Sequence, residues 1–146
     1  MRLTDFHLLL LEDDPTQLDP MKVAARDAGL DGSLHVVHDR EEAVEYFFQL
    51  LQPRSPLRAH GKHFIFLFNL EGASSLSVLG WLREQPRLRH MVKVGIYSAP
   101  DGAAADRGYA LGVNSCLLRP ASREGLVLMF ESIRRYWMAL NQPPQL

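Results

Sequence analysis

Three consecutive carboxylates, Glu12, Asp13 and Asp14, directly follow the apolar run Leu8–Leu11. Carboxylate oxygens are the ligands that hard cations such as Mg²⁺ prefer, and the same side chains can cap the first turn of a helix. Both interpretations place the triplet where a buried strand gives way to a helix. Its position at a strand end favours the remains of a metal site over helix capping alone.

Asn69, Ser98 and Arg119 each directly follow a later apolar run. A hydroxyl and a guanidinium can bind the oxygens of an anion, whereas an amide is neutral and a poor nucleophile. If the runs are parallel strands, their carboxyl ends meet at one edge of the sheet, where the functional crevices of such sheets lie. The sequence therefore predicts one polar pocket built from several chain segments.

Five short apolar runs separated by helical patterns must position these residues. Leu8–Leu11 and Phe64–Phe68 are apolar throughout, which predicts strands covered on both faces. Strands alternating with helices indicate a parallel sheet between helical layers, and right-handed crossovers leave few topologies. We expect an α/β, flavodoxin-like three-layer sandwich with five parallel strands in the order 2-1-3-4-5 and five helices. The predicted strands are His7–Leu11, Ser33–Val37, Phe64–Phe68, Val92–Tyr97 and Ser115–Leu118.

Helical spacing predicts which residues face the sheet. Gly29 is expected to end the first helix, in which Pro20 predicts a late start or a kink. The fourth helix is expected to run from about Ala103 to Leu111, and the last to begin near Ser122. By periodicity Tyr136 and Trp137 belong mainly to the core, with one of them and Met138 reaching the surface. The predicted inward residues are Leu18, Met21, Ala25, Ala28, Ala43, Tyr46, Phe47, Leu50, Leu76, Leu79, Leu82, Leu126, Met129, Phe130, Ile133, Trp137 and Leu140.

Length and composition narrow the functional class. With 146 residues and 47% apolar composition, the chain is expected to form one domain over residues 1–146. A formal net charge of −1 provides no general attraction for nucleic acid or an anionic membrane. No apolar run approaches membrane-spanning length, and a single cysteine, Cys116, rules out an internal disulfide. We expect a cytoplasmic protein that binds neither nucleic acid nor membrane.

Leu8–Pro15 (LLLLEDDP), Ile96–Pro100 (IYSAP) and Gly108–Pro120 (GYALGVNSCLLRP) resemble segments of the receiver domain of bacterial response regulators. The likeness covers nearly the whole chain in the right order and spacing. The segment around Tyr136-Trp137 and Asn141–Pro144 is also similar to the single-domain regulators associated with bacterial phytochromes.

The resemblance implies a site in which two acidic residues hold Mg²⁺ and an aspartate ending the third strand accepts a phosphoryl group. A Ser or Thr and a Lys bind the phosphoryl oxygens, and an aromatic residue on the fifth strand changes rotamer to report the event. In this chain Glu12 and Asp13 stand at the positions of the metal-binding pair, and Ser98 stands at that of the hydroxyl. Asn69 falls at the acceptor position, Arg119 at that of the lysine and Cys116 at that of the aromatic switch.

Three of these positions depart from the family's pattern. Phosphoryl transfer to a side chain needs an anionic nucleophile, so Asn69 is not expected to form an acyl phosphate. Without a third carboxylate, Glu12 and Asp13 would hold Mg²⁺ weakly at most, and no cofactor is required. Arg119 pairs with carboxylates as a planar fork and could lie across Glu12 or Asp13, while Cys116 is too small for an aromatic switch.

The sequence thus favours a pseudo-receiver: a two-component-type signalling module that is not an enzyme and works by phosphorylation-independent protein interaction. The expected partner is a sensor kinase or another regulator. The face made by the fourth helix, fifth strand and fifth helix, roughly Ala103 to Leu140, is a candidate homodimer surface. One alternative is an active receiver phosphorylated by a histidine kinase at an atypical acceptor, Glu71 or Asp14. Another is a small-ligand sensor on the same fold, although no glycine-rich phosphate-binding motif supports it.

Other conspicuous residues have ordinary interpretations. Cys116 is expected to be a small buried side chain. His60 and His63 lie in a polar stretch without thiol or acidic ligands at metal spacing, so we expect solvated loop residues. A group of basic residues is expected to form a solvated helix end: Arg83, Arg87, Arg89, His90 and Lys93.

Overall fold

The computed structural model describes residues 6–58, 63–100 and 102–144. Within these ranges the chain forms a parallel sheet in the order β2-β1-β3-β4-β5, which confirms the predicted topology. The strands are β1 (Phe6–Leu11), β2 (Leu34–Val37), β3 (His63–Asn69), β4 (Val92–Tyr97) and β5 (Ser115–Leu118). The helices are α1 (Pro15–Asp27), α2 (Arg40–Leu51), α3 (Ala73–Arg83), α4 (Ala103–Ala110) and α5 (Arg123–Arg135), with a short 3₁₀ helix at Pro56–Arg58 and a π-helical turn at Tyr136–Leu140.

Two apolar cores cover the two faces of the sheet. Leu8 and Leu10 of β1 pack with α1 and α5, whereas Leu9 and Leu11 pack with α2, α3 and the start of α4. This alternation explains why β1 and β3 have no polar face: successive side chains point to opposite sides, and both sides are covered. Burial of each such side chain contributes roughly 1.5–3 kcal/mol relative to leaving it exposed.

Local signals set the ends of α1. The Asp14 carboxylate accepts hydrogen bonds from the backbone N–H of Thr16 at 3.0 Å and from its hydroxyl at 2.7 Å, and Pro15 occupies the first turn. The helix then runs through Pro20, so the predicted late start is wrong. The side-chain cap and a proline already suited to a first turn begin the helix earlier than the apolar pattern indicates. Gly29 follows the helix with φ 81°, as expected of a stop.

The C-terminal turn reverses part of the predicted core pattern. Met138 is buried, whereas Leu140 is 79% exposed and Tyr136 is 52% exposed. A π-helical turn adds residues to each rotation, so the fully buried face steps from Ile133 to Met138, five positions on. Trp137 packs against the same core while partly buried, as predicted in part, whereas Leu140 is exposed.

One correction concerns α3, whose buried face comprises Ser75, Val78, Leu79 and Leu82 and leaves Leu76 only partly buried. Among the described residues, no helix is both long and apolar enough to cross a bilayer.

Candidate functional site

The carboxyl ends of four strands converge on one narrow cleft. Glu12, Asn69, Ser98 and Arg119 follow or end β1, β3, β4 and β5 respectively, and all four line the cleft. The lining atoms lie so close together that no water-sized space remains between them, which leaves no room for a bulky ligand. The remaining lining residues are Leu10, Gln17, Met21 and Ile96.

Glu12 is the buried carboxylate of the cleft, with only 3% of its surface exposed. Burial raises the pKa of its carboxyl above the ordinary value, and the negative charge of Asp13 acts in the same direction. Two contacts oppose this rise: the backbone N–H of Asp14 donates to Oε1 at 3.4 Å, and the positive charge of Arg119 attracts the anion. The net result is a Glu12 pKa above the ordinary value, so this carboxyl takes up a proton more readily than one in solvent.

The other two members of the acidic triplet point elsewhere. Asp14 caps α1, and Asp13 is exposed near the start of α3, where a Cβ placed on Gly72 would lie 3.6 Å from both of its carboxylate oxygens. Over the described ranges, no three His, Cys, Asp or Glu side chains are grouped so that they could hold a metal ion. Glu12 and Asp13 alone supply one buried and one exposed carboxylate, a donor set poorly matched to a strong Mg²⁺ site.

Asn69 begins a tight turn instead of projecting a reactive group. Its Oδ1 accepts the backbone N–H of Glu71 at 2.9 Å, an Asx turn that suits a strand end. Glu71 then crosses to the next loop, where its Oε1 accepts the backbone N–H of Ser98 at 2.5 Å. The sequence pattern identified both residues, but this bridge between two loops depends on strand order.

Arg119 is directed to α1. Its Nη2 donates to the backbone carbonyl of Gln17 at 3.2 Å, 102 positions away in the sequence. The structure contains no ion pair between this guanidinium and Glu12 or Asp13 within the described residues, so the hypothesis of a fork lying across them is replaced by a link to the helix backbone. The positive charge still stabilises the Glu12 anion from within the same cleft.

Cys116 lies outside the cleft, beneath α4. Its thiol donates to the carbonyl of Ala105 at 3.6 Å, and its backbone N–H donates to the Tyr109 hydroxyl at 3.2 Å. Burial raises the pKa of the Cys116 thiol, which disfavours the reactive thiolate. This environment agrees with the expected role as a small packing residue, although the side chain is only partly buried.

Leu70 is a residue that the motif analysis missed. It is buried, and its backbone N–H donates to the Ile96 carbonyl at 2.8 Å. Its side chain fills the space that two glycines leave open: a Cβ on Gly95 of β4 would lie 2.5 Å from Leu70 Cγ, and one on Gly108 of α4 would lie 2.9 Å from Cδ2. A glycine inside a strand is the available sequence signal, because it marks close approach of another group.

Comparisons with known proteins show which proteins this chain resembles. No protein-family model matches the chain. The "Probable methanogenesis regulatory protein FilR2" of Methanothrix harundinacea is 26% identical over 139 residues, which are 95% of this chain and 88% of that protein.

Three solved structures are similar over most of their length. A response regulator in red-light signalling of R. palustris has a TM-score of 0.79 at 21% identity, over 96% of this chain and 99% of its own. The phosphorylated cyanobacterial phytochrome response regulator RcpA has a TM-score of 0.76 at 18% identity, over 95% and 98%. The bacteriophytochrome response regulator RtBRR is 28% identical with a TM-score of 0.65, over 94% and 82%. This chain has the response-regulator receiver fold. The resemblance noted in the sequence, including the likeness to phytochrome-associated regulators, is thereby confirmed.

Two basic residues of this fold are less solvated than expected. His63 begins β3 and is 7% exposed, with its ring 5.1 Å from that of Phe6; His60 lies outside the described residues. Lys93 is 4% exposed, and its Nζ donates to the carbonyls of Arg89 and Met91. Burial lowers the pKa of the Lys93 amine, and the two carbonyls compensate for part of its lost hydration. Both residues lie at the starts of strands, far from the cleft in the sheet, so they contribute to packing.

Proposed function

We propose that this receiver domain is a pseudo-receiver in two-component-type signalling, a cytoplasmic module that acts by binding other proteins and not by accepting a phosphoryl group. The observation that carries the proposal is Asn69. Its neutral amide ends β3 at the acceptor position, with its oxygen already accepting the N–H of Glu71. Acyl phosphate formation needs an anionic oxygen as nucleophile, which this side chain does not supply.

The rest of the cleft supports the same proposal. Arg119, at the position of the phosphoryl-binding lysine, donates to the backbone of α1. Cys116, at the position of the aromatic switch, is a small side chain packed under α4. The carboxylates considered as atypical acceptors are also engaged, since Asp14 caps α1 and Glu71 accepts the N–H of Ser98. A cleft this narrow gives no specific support to a small-ligand sensor.

The direct test is the intact mass of the protein after incubation with acetyl phosphate and Mg²⁺. We expect the wild-type chain to gain no phosphoryl group. Asn69→Asp, run in parallel, restores an anionic oxygen at the same place and asks whether the remaining cleft still supports transfer. A phosphoryl adduct on the wild type would contradict the proposal, and peptide mapping would then assign it to Glu71, Asp14 or another residue.

The proposed contact surface is the face formed by α4, β5 and α5. β5 is an edge strand, and large apolar side chains are exposed on or next to this face. Their exposed fractions are 53% for Tyr109, 51% for Leu118, 62% for Leu128 and 52% for Tyr136. We propose a second copy of the chain or a sensor kinase as the occupant, because an open strand edge and apolar side chains suit a protein partner.

Light scattering coupled to size-exclusion chromatography tests self-association. A dimer through this face predicts that Leu118→Lys lowers the apparent mass toward that of a monomer at equal concentration. Phe48→Lys is the matched control, because Phe48 is 50% exposed on α2, a helix that is not part of this face. Equal effects of the two substitutions, or none from Leu118→Lys on a dimeric wild type, would contradict this interface.

A further inference from the structure

The last residue of β3 and the two residues after it make three different kinds of contact in succession. Asn69 forms the turn, Leu70 packs between β4 and α4, and Glu71 extends to the loop that joins those two elements. Glu71 and Ser98 are 27 positions apart, so their hydrogen bond connects the β3–α3 loop to the β4–α4 loop. This short segment therefore links the end of the central strand to α4.

We infer that the Glu71 carboxylate is an internal anion that holds the β4–α4 loop in place, as a substitute for a bound phosphoryl group. The inference deepens the proposed function, because it supplies the negative charge that a pseudo-receiver never acquires by phosphoryl transfer. Ser98 stands at the position whose hydroxyl binds phosphoryl oxygens in the family that the chain resembles. In this chain the backbone N–H of Ser98 is the donor, and Glu71 Oε1 accepts it. A carboxylate oxygen offers the same kind of acceptor, and charge-assisted hydrogen bonds are about twice as strong as neutral ones.

The distribution of charge around the loop favours this role. Arg119, the cation of the cleft, donates to the Gln17 carbonyl on the α1 side. On the β4 side, the backbone N–H of Ser98 donates to the Glu71 carboxylate instead. Glu71 and Ser98 are both exposed, so a small anion from solution can reach the Ser98 N–H if the Glu71 carboxylate is removed.

Leu70 transmits the position of this loop to α4. Its side chain lies against both Gly95 and Gly108, so movement of the β3–α3 segment must disturb β4 and α4 together. The α4–β5–α5 face proposed for partner binding begins at this helix. Glu71 would therefore keep that face in one arrangement without a phosphorylation cycle.

Hydrogen exchange of the Ser98 amide, followed by NMR, tests the contact directly. We expect Glu71→Ala to speed exchange of this amide by about tenfold, the scale of one charge-assisted hydrogen bond. Glu71→Gln retains an acceptor oxygen without the charge and should give a smaller increase. The matched control is Glu84→Ala, which removes an exposed glutamate after α3 and should leave Ser98 unchanged. Unchanged exchange in both Glu71 variants would overturn the inference.

Titration with inorganic phosphate separates an anion site from an ordinary loop contact. In Glu71→Ala, phosphate should slow exchange at Ser98 and shift its amide resonance, whereas the wild type, whose site is filled by Glu71, should respond little. No response in Glu71→Ala, or an equal response in both proteins, would overturn the role as an anion substitute. The acetyl phosphate experiment is independent of this result, so failure of the inference and failure of the proposed function are distinguishable.

Discussion

The two halves of the carboxyl edge of the sheet are built by different forces. On the α1 side, charged groups meet backbone groups: Asp14 caps the helix, Glu12 accepts an N–H and Arg119 donates to a carbonyl. On the α4 side, Leu70 packs against two glycines. In the charged half, one member of the acidic triplet, Asp14, also begins a helix. The packed half, on the α4 side, combines this apolar packing with the hydrogen bond from the Ser98 N–H to Glu71.

The largest effect is expected from emptying the packed half. Leu70→Ala should lower the free energy of unfolding by about 3 kcal/mol, because a buried leucine leaves a cavity when truncated. Urea denaturation measures the loss, and Leu76→Ala, at a partly buried leucine of α3, is the control that should cost less.

A double-mutant cycle sharpens the same point. Gly95→Ala alone should destabilise by about 2 kcal/mol, because its Cβ would meet Leu70 Cγ at 2.5 Å. In the Leu70→Ala background the added methyl enters the vacated space. The double variant should therefore lose less free energy of unfolding than the two single variants lose together. Additive costs would show that Leu70 does not determine the packing between β4 and α4.

A smaller effect is expected from the helix cap on the charged half. Asp14→Ala should lower the free energy of unfolding by about 1 kcal/mol, since the N–H and hydroxyl of Thr16 lose their acceptor. Asp19→Ala, at an exposed position within α1, is the control. If the two substitutions cost the same, Asp14 is present for a reason other than capping.

The smallest effect is expected at Glu12, and its sign depends on pH. Because the fold raises the pKa of Glu12 above its ordinary value of 4.5, the folded state binds this proton more tightly than the unfolded state does. The cost of the buried charge is therefore fully present above the raised pKa and is relieved as pH falls through it toward the unfolded value. Glu12→Gln should raise Tm by about 2 °C at pH 7, and the gain should vanish below pH 4. A variant less stable than wild type at pH 7 would show that Arg119 outweighs the burial of Glu12.

Patterns along the chain predicted those parts of the protein that local physics controls. Continuous apolar runs indicated doubly covered strands, and Gly29 marked a helix end that the structure shows with positive φ. The neutral chemistry of Asn69 is likewise a property of the residue itself. Local signals predict well here because alternation, capping and side-chain charge do not depend on distant partners.

The tertiary structure decided which groups each functional side chain contacts and how deeply that side chain is buried. Glu71 meets Ser98 and Arg119 meets Gln17 because β3, β4, β5 and α1 become neighbours only when the sheet assembles. Burial of Lys93 also depends on the assembled fold. Periodicity assumes one constant number of residues per turn, so it could not foresee that a π-helical turn would bury Met138 and expose Leu140. Residue chemistry is written in the sequence, whereas the atoms that each group meets are set by packing among segments far apart in it.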